Sequence, residues 1–244
     1  ATMLARSFKR LGESAVRGFA SSPRDPTAKY DFIPAEERDK GRIMDVTLNH
    51  FLPTEPHSVA FGIDKETGKE LMDWIVSKSL NYPFSYSIVH KETGKTIGFR
   101  LMSVAHRDST KVIKLFIFKI KFDNILSILA VMSAGMKEDI WKFHPEANKI
   151  VRRELTFVHK DHQRKGIAKH LLHVGIDFEK LRLDGYDGMV SEASSLANQT
   201  LLAKNGYKML MESQRESYTW RDGRPIVFPD TTSSLQLYYL NLRK

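Results

Sequence analysis

Cysteine is absent from the 244-residue chain. Its absence excludes disulfides, thiolate metal ligands and a cysteine nucleophile, and it removes any indication of a redox compartment. Long apolar runs are lacking as well. The longest, "ILSILAVMSAGM" at 125–136, is shorter than the roughly 20 residues that a membrane-spanning helix needs. This run therefore predicts a helix within a soluble domain, and we expect no membrane span.

Three motifs for nucleotides and metals are also missing. The chain has no GxxxxGK[ST] loop, no GxGxxG fingerprint and no HExxH zinc motif. Four histidines, His159, His162, His170 and His173, lie close together in sequence, and the last two stand at a helical i, i+3 spacing. No carboxylate is spaced as a third ligand, so we expect no metal. A proton relay, a phosphate contact and plain surface positions stay open for these imidazoles.

Positive charge is the clearest excess in the composition, with a formal net charge of +9. Part of this charge lies in the first 24 residues, which hold five basic side chains and one acidic side chain. The remaining body is mildly basic, which suits a protein that binds an anionic cofactor. Because no nucleic-acid motif and no aromatic clusters between basic residues occur, we expect no nucleic-acid partner.

The opening segment, residues 1–28, differs from the rest in composition. It is rich in arginine, serine and small residues, it is poor in acids, and Leu4, Phe8 and Leu11 fall on one helical face. This composition is typical of a mitochondrial transit peptide and equally of a disordered basic tail. We expect a single globular domain at 29–244, located in the cytoplasm or in mitochondria.

Residue patterns along the body alternate between strands and helices. Apolar and β-branched runs predict strands at 30–34, 84–104 (a hairpin around a KETG turn), 149–158, 186–194 and 235–243. Helical spacing predicts helices at 34–52, 70–80, 125–136, 166–183 and 198–207. Antiparallel strands come first and strand–helix units follow. This order favours an α/β fold, with a mixed sheet and helices on both faces.

The stretch QRKGIA, residues 163–168, joins a predicted strand to a predicted helix. Unpaired amides at the start of a helix, together with the positive end of its dipole, make an anion site. Gly166 lets the backbone approach a ligand closely, Ala168 keeps the first turn slim, and Arg164 and Lys165 add positive charge. A pyrophosphate fits this pattern, and so does an ordinary strand-to-helix turn.

This stretch and the later stretch SSLANQTLLAKNGYKML together resemble the acetyl-CoA site of the GNAT superfamily of acetyltransferases. The first matches the family motif Q/R-x-x-G-x-G/A, and the second matches the pattern around the next helix. The resemblance implies a mostly antiparallel, splayed sheet and acetyl-CoA as the co-substrate. Backbone amides near Phe157 and Val158, at the end of the central strand, would stabilise the oxyanion. The cofactor-binding residues that it implies are Phe157, Val158, Gln163, Arg164, Lys165, Gly166, Ile167, Ala168 and Asn198.

The stretch FLPTEPHS, residues 51–58, resembles the acidic EP loop of the arylalkylamine N-acetyltransferase branch seen in invertebrates. Acetyl transfer needs a neutral amine, yet an alkylammonium with a pKa of about 10 is mostly protonated at neutral pH. The resemblance implies that Glu55 is the base, directly or through water. We expect Phe51, Leu52 and Val59 to desolvate its carboxylate and raise its pKa; a solvated loop acid is the alternative.

The group that protonates the departing CoA thiolate is less evident. Many members of the superfamily place a tyrosine where this chain has Leu201. Ser194 and Ser195 are the nearest replacements, since the arylalkylamine branch has serines in the matching segment, and a helix cap is the alternative for either. Because the chain lacks cysteine, direct attack of the amine in a ternary complex is the simplest mechanism.

The resemblance implies an N-acetyltransferase that transfers acetyl from acetyl-CoA to a small primary amine. An arylalkylamine such as dopamine, serotonin or tyramine follows from the resemblance, and polyamines stay open because the pocket residues come from loops. The alternative is a catalytically silent scaffold of the same fold, such as an RNA-associated one. Stabilisation by acetyl-CoA in a thermal melt separates the two. The sequence does not define an oligomeric state.

Overall fold

A seven-stranded sheet forms the centre of the fold, in the spatial order β1-β2-β3-β4-β5-β7-β6. The structure is a computed structural model, and it describes residues 25–108, 136–220 and 222–243. The strands are β1 Tyr30–Pro34, β2 Tyr86–His90, β3 Thr96–His106, β4 Lys149–Val158, β5 Gly188–Ala193, β6 Lys208–Gln214 and β7 Ser234–Asn241. Strands β4 and β5 run parallel, and the other neighbouring pairs are antiparallel.

Helices cover both faces of this sheet. They are α1 Lys40–Val46, α2 Pro56–Ala60, α3 Lys65–Leu80, α4 Ile140–Phe143, α5 Ile167–His170, α6 Phe178–Leu183 and α7 Leu196–Lys204. On one face, Ile43 of α1 and Val76 of α3 pack with Phe99 of β3. On the other face, apolar residues of α6 and α7 pack with Val151 and Met189 of the two parallel strands. The predicted mixed α/β sheet with helices on both faces is confirmed.

The long helix α3 begins at a capping box that its sequence supplies. The Asp64 carboxylate accepts a hydrogen bond from the Thr67 amide (2.8 Å), and Thr67 Oγ1 accepts one from the Asp64 amide (3.0 Å). Such reciprocal bonds satisfy donors at a helix start that have no partner within the helix. The cap thereby fixes where α3 begins. This helix places Lys78 against the centre of the sheet.

The predicted single helix over 166–183 is wrong, because this stretch forms the two short helices α5 and α6. Gly175 lies between them with a φ of +63°. Asp177 caps α6 by accepting a hydrogen bond from the Lys180 amide (2.9 Å). A Cβ atom at Gly175 would lie 2.0 Å from Tyr86 Oη, so the turn also gives room to a side chain of β2.

The predicted helix over 34–52 is interrupted as well. It consists of a 3-10 turn at Glu37–Asp39, then α1, a π-helical turn at Thr47–Phe51 and a 3-10 turn that begins at Leu52. Strand β6 was not predicted. It lies at the sheet edge, most of its side chains are at least partly exposed, and its sequence KMLMESQ has no clear period of two.

Two sequence-based expectations fall largely outside the described residues. The helix expected over 125–136 is one, and the segment 1–28 is the other, of which only 25–28 is described. In the described part of the chain, no helix combines the length and the apolar character needed to cross a bilayer.

Candidate active site

Strands β4 and β5 separate after a short stretch of pairing. Their parallel register ends at Arg153↔Ser191, yet β4 continues to Val158. Glu154 follows the last pair and is the extra residue of a β-bulge in the register with β3. Because bulges bend a strand and disrupt its ladder, the sheet opens next to Glu154. Beyond this point one edge of β4 has no partner strand among the described residues.

Buried charges on the α3 face of the sheet hold this bulge. Glu154 Oε1 accepts hydrogen bonds from Lys78 Nζ (2.6 Å) and Ser103 Oγ (2.5 Å), and Oε2 accepts one from Lys137 Nζ (3.0 Å). Burial raises the pKa of the Glu154 carboxyl, but the charges of Lys137 and Lys78 hold it well below its usual range. Glu154 is therefore an ionised anchor whose oxygens are committed to the strand bend.

Backbone groups on the free edge of β4 point into the opening. The His159 amide donates to a β3 carbonyl (2.8 Å). Alternation along an antiparallel ladder then turns the Phe157 amide towards β3, and it turns the amides of Thr156 and Val158 towards the opening. The Val158 carbonyl accepts a hydrogen bond from Gln163 Nε2 (2.9 Å). Of the two predicted oxyanion positions, the Val158 amide is therefore the one that faces the opening.

The loop between β4 and α5 has two residues in the left-handed region. Arg164 has a φ of +59° and Gly166 a φ of +83°, with Lys165 between them, and positive-φ residues of this kind occur in the backbone concavities that bind anions. Ile167 is buried and fixes the loop to the core, whereas Ala168 is half-buried. Because α5 has only four residues, the anion affinity expected of this loop comes from its amides and basic side chains rather than from a helix dipole.

The second predicted part of the cofactor site follows the end of β5. Ser195 caps α7, since its Oγ accepts a hydrogen bond from the Asn198 amide (3.4 Å). The carbonyl of Ser194 accepts one from Arg215 (2.5 Å). Leu201, at the position where the family often has tyrosine, packs against the core. Both serines and Asn198 therefore have structural contacts at the point where β5 ends.

Glu55 is the N-cap residue of α2. Its Oε2 accepts hydrogen bonds from the Ser58 amide (2.7 Å) and Ser58 Oγ (2.9 Å), and its Oε1 lies 3.3 Å from His57 Nδ1. Burial raises the pKa of the Glu55 carboxyl, but the hydrogen bond and charge of His57, together with the Ser58 amide, lower it to about 2. The expected rise in pKa is therefore wrong.

The predicted surroundings of this carboxylate need correction too. The Glu55 side chain is 15% exposed, so it is not a solvated loop acid. Val59 does not desolvate it in the expected way, because Val59 is itself 41% exposed. Leu52 is buried, as the sequence-based expectation required. The low pKa arises because local hydrogen-bond donors outweigh the burial.

His57 is a residue that sequence reasoning missed. Its Nε2 is buried and has no hydrogen-bond partner among the described residues. The rings of Phe61, Tyr218 and Phe228 surround it, at centroid distances of 6.4, 6.5 and 5.1 Å. We call these four residues the aromatic cluster. Phe228 and Tyr218 lie between β6 and β7, far along the chain, and no signal in the sequence pairs that segment with the EP loop.

Phe51 connects the EP loop to the opened strand. Its ring centroid lies 6.0 Å from that of Phe157 on the free part of β4. Leu155, also on that part of β4, packs in the same apolar group as Phe61 and Phe228. The EP loop and the aromatic cluster therefore lie against the segment of β4 that has separated from β5.

The four histidines that are close in sequence do not converge on one point. His162 Nδ1 lies 3.0 Å from Tyr30 Oη, and the His170 ring packs on Phe32 at a centroid distance of 4.2 Å. Burial lowers the pKa of both imidazoles. In the part of the chain that the structure describes, no three metal-ligating side chains form a group.

An opened mixed sheet with a glycine-containing loop at the opening is the feature that identifies the fold. The fold is that of the GNAT acetyltransferases, as the sequence resemblance predicted. No family model and no curated protein matches the sequence. Solved structures provide the comparison instead.

Three solved structures illustrate the likeness. The arylalkylamine N-acetyltransferase 2 from Aedes aegypti matches with a TM-score of 0.71 and 17% identity, over 88% of this chain and 99% of the other. Agmatine N-acetyltransferase matches with a TM-score of 0.66 and 14% identity, over 87% and 99%. The polyamine N-acetyltransferase of Drosophila melanogaster matches with a TM-score of 0.63 and 13% identity, over 87% and 99%. At these identities the likeness establishes the fold.

Proposed function

We propose that this protein is an N-acetyltransferase that uses acetyl-CoA and acts on a small primary amine, specifically an arylalkylamine. The observation that carries the proposal is the separation of β4 from β5 directly before the loop of Arg164 and Gly166. A strand edge with free amides and carbonyls suits the amide-containing arm of CoA, and a basic concave loop suits its pyrophosphate. Solved structures named for amine acetylation support the same reaction.

Each part of the opening has a task in this proposal. Acetyl-CoA supplies the acetyl thioester. The Val158 amide polarises the thioester carbonyl and stabilises the oxyanion that forms there. The loop amides with Arg164 and Lys165 hold the pyrophosphate. Gln163 contributes indirectly, because its side chain closes the loop onto the Val158 carbonyl (2.9 Å).

The amine side of the site is assigned to the EP loop and the aromatic cluster. The Glu55 carboxyl, with a pKa of about 2, is ionised at neutral pH and attracts an alkylammonium. The ring faces of Phe61, Tyr218 and Phe228 suit an aromatic substrate and its cation. A carboxylate of such low pKa is a weak proton acceptor, so we assign charge attraction rather than proton transfer to Glu55. The neutral amine then attacks the thioester directly, without an acyl-enzyme.

A mixed-substrate experiment tests the reaction and its substrate class together. The protein is incubated with acetyl-CoA and equal amounts of tyramine, dopamine, serotonin, agmatine and spermidine, and the N-acetyl products are quantified by mass spectrometry. We expect the acetylated arylalkylamines to accumulate first, because the cluster offers rings to stack on. Acetylation of agmatine and spermidine alone would contradict the arylalkylamine assignment. The absence of every N-acetyl product would contradict the acetyltransferase itself.

A further inference from the structure

We propose that His57, oriented by Glu55, takes the proton from the amine before acetyl transfer. This inference rests on the proposed acetyltransferase function and adds to it a proton acceptor. The EP-loop resemblance assigns that role to the glutamate alone. Two independent observations support His57. Its Nδ1 atom contacts the Glu55 carboxylate, and its Nε2 atom is buried without a hydrogen-bond partner among the described residues.

The Nδ1 atom of His57 is held by a carboxylate. It lies 3.3 Å from Glu55 Oε1, while Glu55 Oε2 is engaged by the amide and hydroxyl of Ser58. A base that a fixed carboxylate orients in this way has one defined tautomer, with the proton on Nδ1 and the lone pair on Nε2. Glu55 is thereby a positioning residue, and the imidazole is the group left to accept a proton.

The Nε2 atom of His57 is buried without a partner among the described residues. A buried polar atom without a hydrogen bond is costly, and native proteins rarely retain one without a use. The His57 imidazole packs among the rings of Phe61, Tyr218 and Phe228, whose faces cannot accept or donate a strong hydrogen bond. An amine lodged among these rings would give Nε2 the partner that it lacks.

The other charged groups around the aromatic cluster are already paired. The Arg215 guanidinium lies 4.3 Å from the centre of the Phe228 ring and forms an ion pair with Asp230. Tyr218 Oη donates to Ser213 Oγ (2.7 Å). Among the groups that pack on His57 from α2 and from the segment between β6 and β7, Glu55 is therefore the acid that contacts the imidazole directly.

The proposed step is a single proton transfer. One N–H bond of the substrate ammonium breaks, its electron pair stays on the amine nitrogen, and the proton forms a bond with His57 Nε2. The neutral amine attacks the thioester carbonyl, and the carbon–sulfur bond breaks with its electrons on the CoA sulfur. The second amine proton passes to that thiolate, and the imidazolium returns its proton to solvent.

Two substitutions at His57 test this role in the full-length protein. His57→Gln keeps a polar side chain but cannot act as a base, and His57→Phe fills the same space without any polar atom. His144→Gln is the matched control, because His144 Nδ1 pairs with the carboxylate two residues later, Glu146 Oε1, at 2.9 Å. Rates with tyramine are measured across pH, together with KM for acetyl-CoA and the melting temperature.

We expect both His57 variants to lose about 10²-fold in kcat at neutral pH, with KM for acetyl-CoA unchanged. The loss should shrink as the pH approaches the amine pKa of about 10, where no base is needed. His57→Phe should melt below the wild-type temperature, because it leaves the buried Glu55 Oε1 without its contact to His57 Nδ1, and His144→Gln should keep the wild-type kcat and KM.

Two results would overturn the role of His57. One is wild-type turnover in His57→Phe, and the other is a loss of turnover in the His57 variants that stays constant across pH. Neither result touches the proposed function, which fails on a separate observation: no turnover of any amine by the wild-type protein.

Discussion

At the scale of single residues, Glu55 shows how strongly local hydrogen bonds can outweigh burial. A buried carboxylate without partners has a raised pKa, whereas one that accepts bonds from amides and cations has a lowered pKa. Glu55 belongs to the second case, because His57 and Ser58, which contact its carboxylate, are two and three residues away in the chain. Residues of the EP loop thus keep the Glu55 carboxylate ionised. The free energy of unfolding must therefore depend on the charge of Glu55.

We predict that Glu55 contributes to stability only where it is ionised. Its pKa falls from 4.5 to about 2 on folding, so the contribution is complete above the unfolded value and is lost as the pH falls towards 2. A shift of this size corresponds to about 3 kcal/mol at neutral pH, of which about 2 kcal/mol is lost by about pH 3. Denaturant unfolding of wild type and Glu55→Gln, at neutral pH and at about pH 3, measures this loss of stability.

In this experiment the difference in unfolding free energy between wild type and Glu55→Gln should be large at neutral pH and small in acid. A difference that is independent of pH would show that the charge of Glu55 does not stabilise the cap of α2. Ser58→Ala serves as a control, because it removes a hydroxyl donor and keeps the backbone amide that accounts for part of the lowered pKa.

At the scale of elements, the loop before α5 combines a glycine in the left-handed region with an exposed basic surface. Gly166 has a φ of +83°, and alanine in that region costs roughly 1–2 kcal/mol. We predict that Gly166→Ala loses about that much stability and also binds acetyl-CoA about tenfold more weakly, because a Cβ and a shifted amide disturb the phosphate site. Thermal melts and isothermal titration calorimetry give the two quantities.

Gly94 provides the matched control for that substitution. It has a φ of +65° in the β2–β3 turn, with open space where a Cβ would lie. Gly94→Ala should lose a similar amount of stability and keep the affinity for acetyl-CoA. If Gly166→Ala and wild type bound acetyl-CoA with equal affinity, the pyrophosphate would not bind at this loop.

Sequence patterns identified elements well where the determinants were local. Strand β4 was predicted with the bounds that it has, because apolar and β-branched residues lie on both sides of its charged centre. The pentapeptide KETGK shows the limit of such reasoning. At 65–69 it follows the capping residue Asp64 and opens α3, whereas at 91–95 it forms the β2–β3 turn. The residues that flank the pentapeptide decide whether it starts a helix or forms a turn. The five residues alone do not carry that information.

The missed elements depended on distant contacts. The break at Gly175 accommodates Tyr86 of β2, and the edge strand β6 is specified by pairing with β7 rather than by its own alternation. The loop at 163–168 could be proposed as a phosphate site from sequence because its glycine and basic residues are contiguous. The His57 environment could not, because Tyr218 and Phe228 reach it only once the sheet has formed.

At the scale of the whole molecule, the site exists because separate parts of the chain meet at one bulge. Glu154 is bound by Lys78 of α3, Ser103 of β3 and Lys137, and it lies where β4 leaves β5. Buried ion pairs of this kind contribute little net stability but are strongly destabilising when one partner is removed. Their effect here is to fix the strand bend at which β4 separates from β5.

The central claim is that this opening performs acetyl transfer to an amine. The most direct measurement is the initial rate of CoA thiol release from acetyl-CoA, with and without tyramine, for wild type and Glu55→Ala. We expect release that depends on the amine, saturates in both substrates as expected for a ternary complex, and is largely lost in the variant. No amine-dependent release by the wild type, despite thermal stabilisation by acetyl-CoA, would contradict the proposed acetyl transfer and would indicate a binding protein with this fold.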